Sequence, residues 1–168
     1  MFNGDFELKG KHATYIRFLS ATTNRLDKTA KAAGIINTAV DIYAFAPLIG
    51  LAYNKKAAED NSSNDTYNIL ASQIINHQAD LDFAFRLVML ADNSMGLSSD
   101  DKIDRAFRQD EQPEKSVENL ELFHQYMRGG LEWLYEQFTD GTTTKEDYLE
   151  KVYKVVNLYK EDFSIGDC

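Results

Sequence analysis

The chain has 168 residues, of which 43% are hydrophobic and 27% are charged, and its formal net charge at pH 7 is −9. This size and balance predict one globular domain with a hydrophobic core of its own, and they exclude an intrinsically disordered chain. The acidic surplus disfavours direct binding to nucleic acid, because carboxylates repel the phosphate backbone.

The only cysteine, Cys168, is the last residue, so no internal disulfide can form and a reducing compartment is expected. The first twelve residues, MFNGDFELKGKH, do not have the pattern of a signal peptide. The longest apolar stretch, residues 42–53, is shorter than the roughly 20 residues that a membrane-spanning helix needs. We therefore predict a cytoplasmic protein without a membrane anchor.

The first third of the chain predicts a short extended lead followed by helices. In residues 1–9, apolar and charged side chains alternate, as in an extended segment. A first helix is expected over about residues 11–21 and a second over about 24–34. Residues 39–53 are apolar with helical character, and Pro47 is expected to kink or end this helix because it has no N–H to donate.

The run from Asn64 to Asp92 contains neither glycine nor proline, so nothing inside it predicts a break. Its first half is amphipathic at helical spacing, and its second half is apolar almost all round. A helix that is apolar on all sides has to be covered on all sides. We therefore predict one long helix over about residues 65–92 as the centre of the fold.

Two further segments follow this central helix. A loop around Gly96 leads to Ser98 and Asp101, whose spacing is that of a capping box at the start of a short charged helix. Pro113 is expected in the first turn of a longer amphipathic helix that extends over residues 117–138.

The last helix is predicted to begin at a second capping box, formed by Thr143 and Glu146, and residues 163–168 are expected to fray. The strand–helix alternation of an α/β fold is missing. The predicted fold is therefore all-α, a single domain comprising residues 1–168, with five to seven helices bundled around the helix of about residues 65–92.

Two adjacent glycines, Gly129 and Gly130, lie in the middle of the predicted helix over residues 117–138. Each costs a helix about 1 kcal/mol relative to alanine, so another gain has to offset them. Close packing of a neighbouring helix is one explanation, and a hinge or a ligand near the backbone is the other.

Four side chains have the residue types and spacing of metal ligands. His77 and Asp80 are three residues apart, and so are Glu121 and His124, the second pair in the order that di-iron helical bundles use. Such bundles need a second Glu-x-x-His pair and two more glutamates, which this sequence does not supply. A divalent-metal site formed by these four residues therefore requires that their helices face each other.

A second group of candidates are ion-pair or anion-binding residues. Asp41 opens an apolar helix, where it is either a buried carboxylate with an arginine partner or a carboxylate favoured by the helix dipole. The arginine partners considered are Arg86, Arg105, Arg108 and Arg128. Arg105 and Arg108 are spaced as a small anion clamp, but each also follows an aspartate by four residues, which favours ordinary helical ion pairs.

The sequence contains no glycine-rich phosphate loop, no GxSxG motif and no zinc-type cysteine pair. Nine tyrosines and ten phenylalanines are many for an acidic helical domain, and tyrosine is enriched in protein interfaces. The aromatic residues without an obvious place in the core suggest an exposed patch, namely Tyr15, Tyr53, Tyr67, Tyr153 and Phe163.

The segments FELKGKHATY, IDRAFR and YMRGGLEWLYE resemble those of bacterial proteins. Because the sequence has no catalytic signature, an acidic composition and a surplus of aromatic residues, we predict a non-catalytic helical module that binds a protein partner or itself, as a small subunit or accessory protein of a bacterial assembly. No cofactor is predicted. One alternative is an inhibitor that mimics nucleic acid with its carboxylates, and another is a metal-dependent enzyme that uses His77, Asp80, Glu121 and His124.

Overall fold

The computed structural model describes residues 1–21, 34–109, 112–139 and 145–163. These residues contain a two-stranded antiparallel sheet and seven helices. In chain order the elements are β1 (Phe6–Lys9), α1 (Lys11–Leu19), α2 (Ala39–Ala52), β2 (Thr66–Ile69), α3 (Ala71–Asn76), α4 (Gln78–Ala91), α5 (Ser99–Phe107), α6 (Pro113–Thr139) and α7 (Lys145–Asp162).

The predicted all-α bundle is confirmed, but the segment predicted as one helix over about residues 65–92 is a strand and two helices. Its first residues pair with the N-terminal lead, so that Phe6 lies opposite Ile69 and Lys9 opposite Thr66. Thr66–Ile69 is rich in β-branched and aromatic side chains, which favour a strand once a partner strand is available. The N-terminal lead supplies that partner.

The second division of this segment falls at His77, where the backbone leaves the helical conformation at φ −112° and ψ 17°. The His77 N–H donates to the carbonyl of Ile74 across 3.1 Å, which is a bond from three residues back rather than four. The ring Nδ1 of His77 lies 3.0 Å from the carbonyl oxygen of Gln73. These local contacts end α3 and allow α4 to begin at the next residue.

The centre of the bundle is the pair α2 and α6, which make the most extensive contact between any two described elements. Three glycines make this contact close. A Cβ on Gly50 would lie 2.0 Å from the carbonyl oxygen of Tyr126, and a Cβ on Gly130 would lie 1.9 Å from that of Ala46. A Cβ on Gly129 would lie 2.2 Å from another backbone carbonyl, in the segment that follows α2. Each side chain would therefore separate backbones that touch.

Pro47 does not end α2, which continues past it to Ala52, so the predicted helix end at this position is wrong. Proline inside a helix costs about 3 kcal/mol through a lost hydrogen bond and a clash with the preceding turn. Pro47 is itself buried, and α2 is among the most buried helices of the fold. Its packing offsets that cost, and the residues that provide it are Val40, Ile42, Tyr43, Ala46 and Ile49.

Of the remaining local predictions, some are confirmed and others fall on residues outside the described ranges. Gly96 has φ +62°, the Ser98 hydroxyl accepts a hydrogen bond from the Asp101 N–H, and α6 begins at Pro113, all as expected. The helix predicted over about residues 24–34 lies outside the described residues apart from its last position, as do Thr143 and residues 164–168 of the tail. No helix in the described ranges is long and apolar enough to cross a membrane.

Candidate interaction surface

One side of α4 is apolar and is not covered by the other described elements. The opposite side faces the core and is buried at Leu81, Phe85 and Val88. On the uncovered side, the Phe83 side chain is 65% exposed, and Leu87 lies one turn further along the helix. Phe107 at the end of α5 extends this surface and is 49% exposed. We call the surface the α4–α5 face, and it consists of Ala79, Phe83, Arg86, Leu87, Leu90 and Phe107.

The α4–α5 face is concave, because a groove of about 480 Å³ runs along it. The guanidinium carbon of Arg86 lies 5.1 Å from the centre of the Phe107 ring, a cation–π contact that links the two helices across the groove. Asp82 also lines the groove. The site is therefore an apolar depression with one cation and one carboxylate among its lining residues.

A buried polar network beneath the face holds α5 against α4. Asp92, which follows the last residue of α4, is 2% exposed, and its carboxylate receives hydrogen bonds from two other helices. Nη1 of Arg105 donates to one carboxylate oxygen across 3.2 Å, and the Tyr126 hydroxyl donates to the other across 2.7 Å. Nε of Arg105 also donates to the side-chain oxygen of Asn119 across 2.7 Å. The network joins α4, α5 and α6, and so positions Phe107.

The electrostatics of this network keep Asp92 ionised. Burial by itself raises the pKa of Asp92, but hydrogen bonds from Tyr126 and Ser94, together with the charge of Lys56, outweigh burial and lower that pKa to about 2. The Lys56 ammonium lies 3.6 Å from the carboxylate. Burial and the hydrogen bond to Asp92 raise the pKa of Tyr126, so its hydroxyl stays protonated and remains a donor. The ion pair to Arg105 is therefore present throughout the physiological pH range.

A second cleft lies on the other side of α5, against the first half of α6, with a volume of about 620 Å³. Arg105 and Asn119 of the polar network form part of its wall, and Val117 is its most exposed apolar residue. Acidic and basic side chains both line it, among them Asp101, Lys115, Glu118 and Glu121. The lining of this cleft therefore contains more charged side chains than that of the α4–α5 face.

The comparison with known protein families gives one match, and it covers most of the chain. Residues 20–164 match the family described as DNA sulphur modification system-associated protein 4. The chain belongs to this family. No significant match was found among the curated proteins or among the solved structures. The family's association with a DNA sulphur modification system confirms the prediction of an accessory protein of a bacterial assembly. The matched range contains the whole α4–α5 face.

In this member of the sulphur modification-associated family, the four predicted metal ligands do not come together. The described residues include no group of three or more His, Cys, Asp or Glu side chains placed to hold a metal ion. His77 lies at the break between α3 and α4, with Asp80 in the first turn of α4. Glu121 and His124 lie on α6, where the Glu121 carboxylate pairs with Arg128. The break at His77 removes the continuous helical turn that was expected to place His77 and Asp80 on one face.

His124 is a packing residue in this arrangement. Its Nε2 lies 2.8 Å from the hydroxyl oxygen of Tyr43, and its ring stacks on Phe6 with centres 4.4 Å apart. Burial, with a smaller contribution from the charge of Arg128, lowers the pKa of His124 to about 3. The imidazole is therefore neutral near pH 7, and it links α6 to α2 and to β1.

Asp41 caps α2. Its carboxylate accepts hydrogen bonds from the backbone N–H of Thr38 across 3.0 Å and from the Thr38 hydroxyl across 2.7 Å, and the hydroxyl oxygen accepts from the Asp41 N–H. His77 Nε2 lies 3.6 Å from the same carboxylate. The structure thus places Asp41 as a helix-start carboxylate and not beside any of the candidate arginines.

Besides Arg86, the candidate arginines Arg105, Arg108 and Arg128 have different partners. Arg105 pairs with Asp92 instead of the residue four positions earlier in its own helix. Arg108 forms the expected helical pair with Asp104, at 2.5 Å, on the exposed side of α5. Arg128 bonds to Glu121 and also donates from Nε to the carbonyl of Ala57 across 2.9 Å. They do not form a common anion clamp.

Sequence reasoning did not single out Asp92 or Phe83, although a signal for Phe83 was present. Phe83 and Leu87 are four residues apart on the side of α4 opposite the buried stripe, and the sequence showed α4 to be apolar all round. Of the predicted aromatic patch, the Tyr53 and Phe163 rings are in contact, with centres 5.7 Å apart. Tyr15 instead stacks on Tyr135 with centres 3.8 Å apart, and Tyr153 is largely exposed on α7. Exposed apolar residues occur on several elements, and on α4 and α5 Phe83, Leu87 and Phe107 line one groove.

Proposed function

We propose that this chain is a non-catalytic accessory protein that binds a protein component of the DNA sulphur modification system through the α4–α5 face. The observation that carries the proposal is the exposed apolar side of α4, continued by Phe107 of α5, in a chain whose family is associated with that system. Covering a large apolar side chain contributes about 1.5–3 kcal/mol. Phe83, Leu87 and Phe107 together can therefore supply a substantial part of a specific interface.

The shape of the face favours an amphipathic helix of the partner. A groove between two helices receives a third helix by accepting side chains that are three or four residues apart. The volume of about 480 Å³ is sufficient for a few apolar side chains. Arg86 and Asp82 at the same groove offer polar contacts that orient such a helix. The proposal therefore commits to an amphipathic partner helix with an apolar stripe.

The alternative of a nucleic-acid mimic receives less support from the charge distribution. A mimic needs a face dominated by carboxylates, and here exposed acidic side chains are interleaved with basic ones. The ion pairs that show this on the described surface are Lys9–Glu59, Lys11–Glu132, Arg17–Asp65, Arg108–Asp104 and Lys154–Glu150.

The test is a direct binding measurement between the purified chain and each purified protein component of the sulphur modification system. Isothermal titration calorimetry of the wild-type chain should identify a component that binds. Phe83→Ser should weaken that binding at least about tenfold, because it removes the most exposed apolar contact of the face. The melting temperature of the variant should stay close to that of the wild type, since Phe83 is mostly in solvent.

Val117→Ser is the matched control. Val117 is also a largely exposed apolar residue, but it lines the second cleft. This substitution should leave binding unchanged. The proposal is wrong if no component binds the wild-type chain, if Phe83→Ser binds as tightly as the wild type, or if Val117→Ser is the variant that loses binding.

A further inference from the structure

The junction between α1 and α6 contains a histidine that is sealed from water. His12, in the first turn of α1, is 0% exposed, and its Nε2 lies 2.8 Å from Oε1 of Glu132 on α6. The Lys11 ammonium lies 3.0 Å from the same carboxylate oxygen. One turn further along α1, the Tyr15 ring stacks on Tyr135 of α6. These contacts attach the first half of α1 to α6.

The protonation state of His12 follows from its hydrogen bond. A carboxylate only accepts hydrogen bonds, so Nε2 carries the proton that it donates to Glu132. The other ring nitrogen, Nδ1, is buried and has no hydrogen-bond partner in the part of the chain that the structure describes. In the neutral ring Nδ1 is an unpaired acceptor. In the imidazolium it would be an unpaired donor that also carries buried charge, which is the more costly state.

Charged groups on the surrounding elements also act on this ring. The titratable and charged side chains that do so are Lys11 and Tyr15 on α1, Arg128 and Glu132 on α6, and Asp60 in the segment after α2. The two cations disfavour a further positive charge, and the two carboxylates favour it. The Tyr15 hydroxyl stays neutral, because burial raises its pKa. Burial of the imidazole outweighs the hydrogen bond and the charge of Glu132, so the pKa of His12 is lowered from its ordinary value of 6.5.

We propose that His12 is a pH-sensitive switch, in which uptake of a proton at Nδ1 on acidification detaches α1 from α6 while the rest of the bundle stays folded. The imidazolium regains hydration only where its ring leaves the buried position, and α1 has to move away from α6 for that. α1 is suited to such a movement, because it is nine residues long and the apolar residues that it buries are Ala13, Ile16 and Leu19. Detachment of α1 uncovers the Tyr135 ring on α6.

Acid opening is the direction that proton linkage requires. A histidine whose pKa is lower in the closed chain than in the open one binds its proton preferentially in the open state. The closed state is therefore fully favoured above the ordinary pKa of 6.5. Below it, the ratio of closed to open chains falls by at most about tenfold for each pH unit, until the lowered pKa of His12 is reached.

The first test is hydrogen–deuterium exchange of the full chain at about pH 7 and about pH 5.5, with rates corrected for the intrinsic pH dependence of amide exchange. In the wild type, protection of α1 relative to α6 should fall about threefold or more at the lower pH. His12→Gln keeps an amide donor for Glu132 but does not titrate, so this ratio should stay constant. His77→Gln is the matched control, because His77 is partly exposed and distant in sequence, and it should behave as the wild type.

Three results would overturn the proposal. They are a wild-type α1 that keeps its protection at the lower pH, an equal loss in His12→Gln, and a loss in which α1 and α6 open together. The last would point to unfolding of the whole bundle, for which His124 is the relevant buried histidine.

Ring nitrogen NMR of the wild-type chain provides a second measurement that needs no variant. The His12 ring should be the Nε2–H tautomer at about pH 7. On acidification its charging should share one midpoint, below the ordinary pKa of 6.5, with shifts of the α1 amides. A His12 ring that charges with no change in the α1 amides would overturn the proposal. Neither experiment depends on the proposed function, since no component of the modification system is present.

Discussion

Asp92 and Arg105 form a buried ion pair in which Nη1 of the arginine lies 3.2 Å from the carboxylate, and this contact joins the end of α4 to the last turn of α5. The only residues that α5 buries are Arg105 and Ala106. Buried apolar contacts therefore contribute little to holding α5 in place, and the ion pair largely determines its position. Since Phe107 follows directly in sequence, the ion pair also determines the geometry of the α4–α5 face.

Removing Arg105 should destabilise the fold strongly. Arg105→Ala leaves the Asp92 carboxylate buried without one of its main partners, and breaking a buried pair in this way costs about 3–5 kcal/mol of unfolding free energy. Urea denaturation followed by circular dichroism measures the change. Arg108→Ala is the control, because the Arg108–Asp104 pair is exposed and worth about 1 kcal/mol or less. Equal losses for both variants would contradict the assignment.

The same network predicts how stability depends on pH. The pKa of Asp92 is lowered from 3.8 to about 2 in the folded chain. Because folding lowers this pKa, ionised Asp92 contributes to the free energy of unfolding. That contribution is fully present above the unfolded-state pKa and is lost as pH falls through the folded-state pKa. This amounts to about 2 kcal/mol, which disappears between about pH 5 and pH 2.

Asp92→Asn isolates that contribution from those of the other carboxylates. The wild type should exceed this variant in unfolding free energy at neutral pH, and the difference should shrink as the pH is lowered towards about 2. Urea denaturation of both proteins across the pH series provides the measurement. A difference that stays constant down to the lowest pH would show that Asp92 does not titrate as described.

Gly130→Ala should be among the most damaging single substitutions. Its Cβ would lie 1.9 Å from the carbonyl oxygen of Ala46, so α2 and α6 would have to separate at the centre of the bundle. We expect a loss of about 3 kcal/mol or more, at or above the upper end for overpacking, because the clash is with backbone. Gly4→Ala is the control, since nothing lies within 4 Å of a Cβ at that position. Thermal melts that show no difference between the two variants would refute the close-contact interpretation.

Most helices were predictable from the sequence because their signals are local. Ser98 and Pro113 mark helix starts, and the apolar stripe of residues 117–138 repeats at helical spacing. The strand Thr66–Ile69 was missed because a strand depends on its partner, and that partner lies about 60 residues earlier in the chain. The break at His77 was missed for a different reason, because neither a glycine nor a proline marks it in the sequence.

The candidate site was less predictable, because its parts become a surface only when helices are placed beside each other. The pairing of Arg105 with Asp92 rather than with Asp101 depends on the position of α5 relative to α4. The exposure of Phe83 depends on which side of α4 the bundle leaves open. The apolar character of α4 was visible in the sequence, but it predicted a helix covered on all sides rather than a helix with one free side.

The most direct test of partner binding through the α4–α5 face is site-specific photo-crosslinking in cells that contain the intact DNA sulphur modification system. A photoreactive phenylalanine analogue replaces Phe83 or Phe107 in the α4–α5 face, and Glu136, exposed on α6, serves as the control position. If the α4–α5 face binds the system, positions 83 and 107 crosslink to one of its protein components, identified by mass spectrometry, and position 136 does not. Crosslinking to such a component at position 136 alone, or at none of the three positions, would show that this face is not the binding surface.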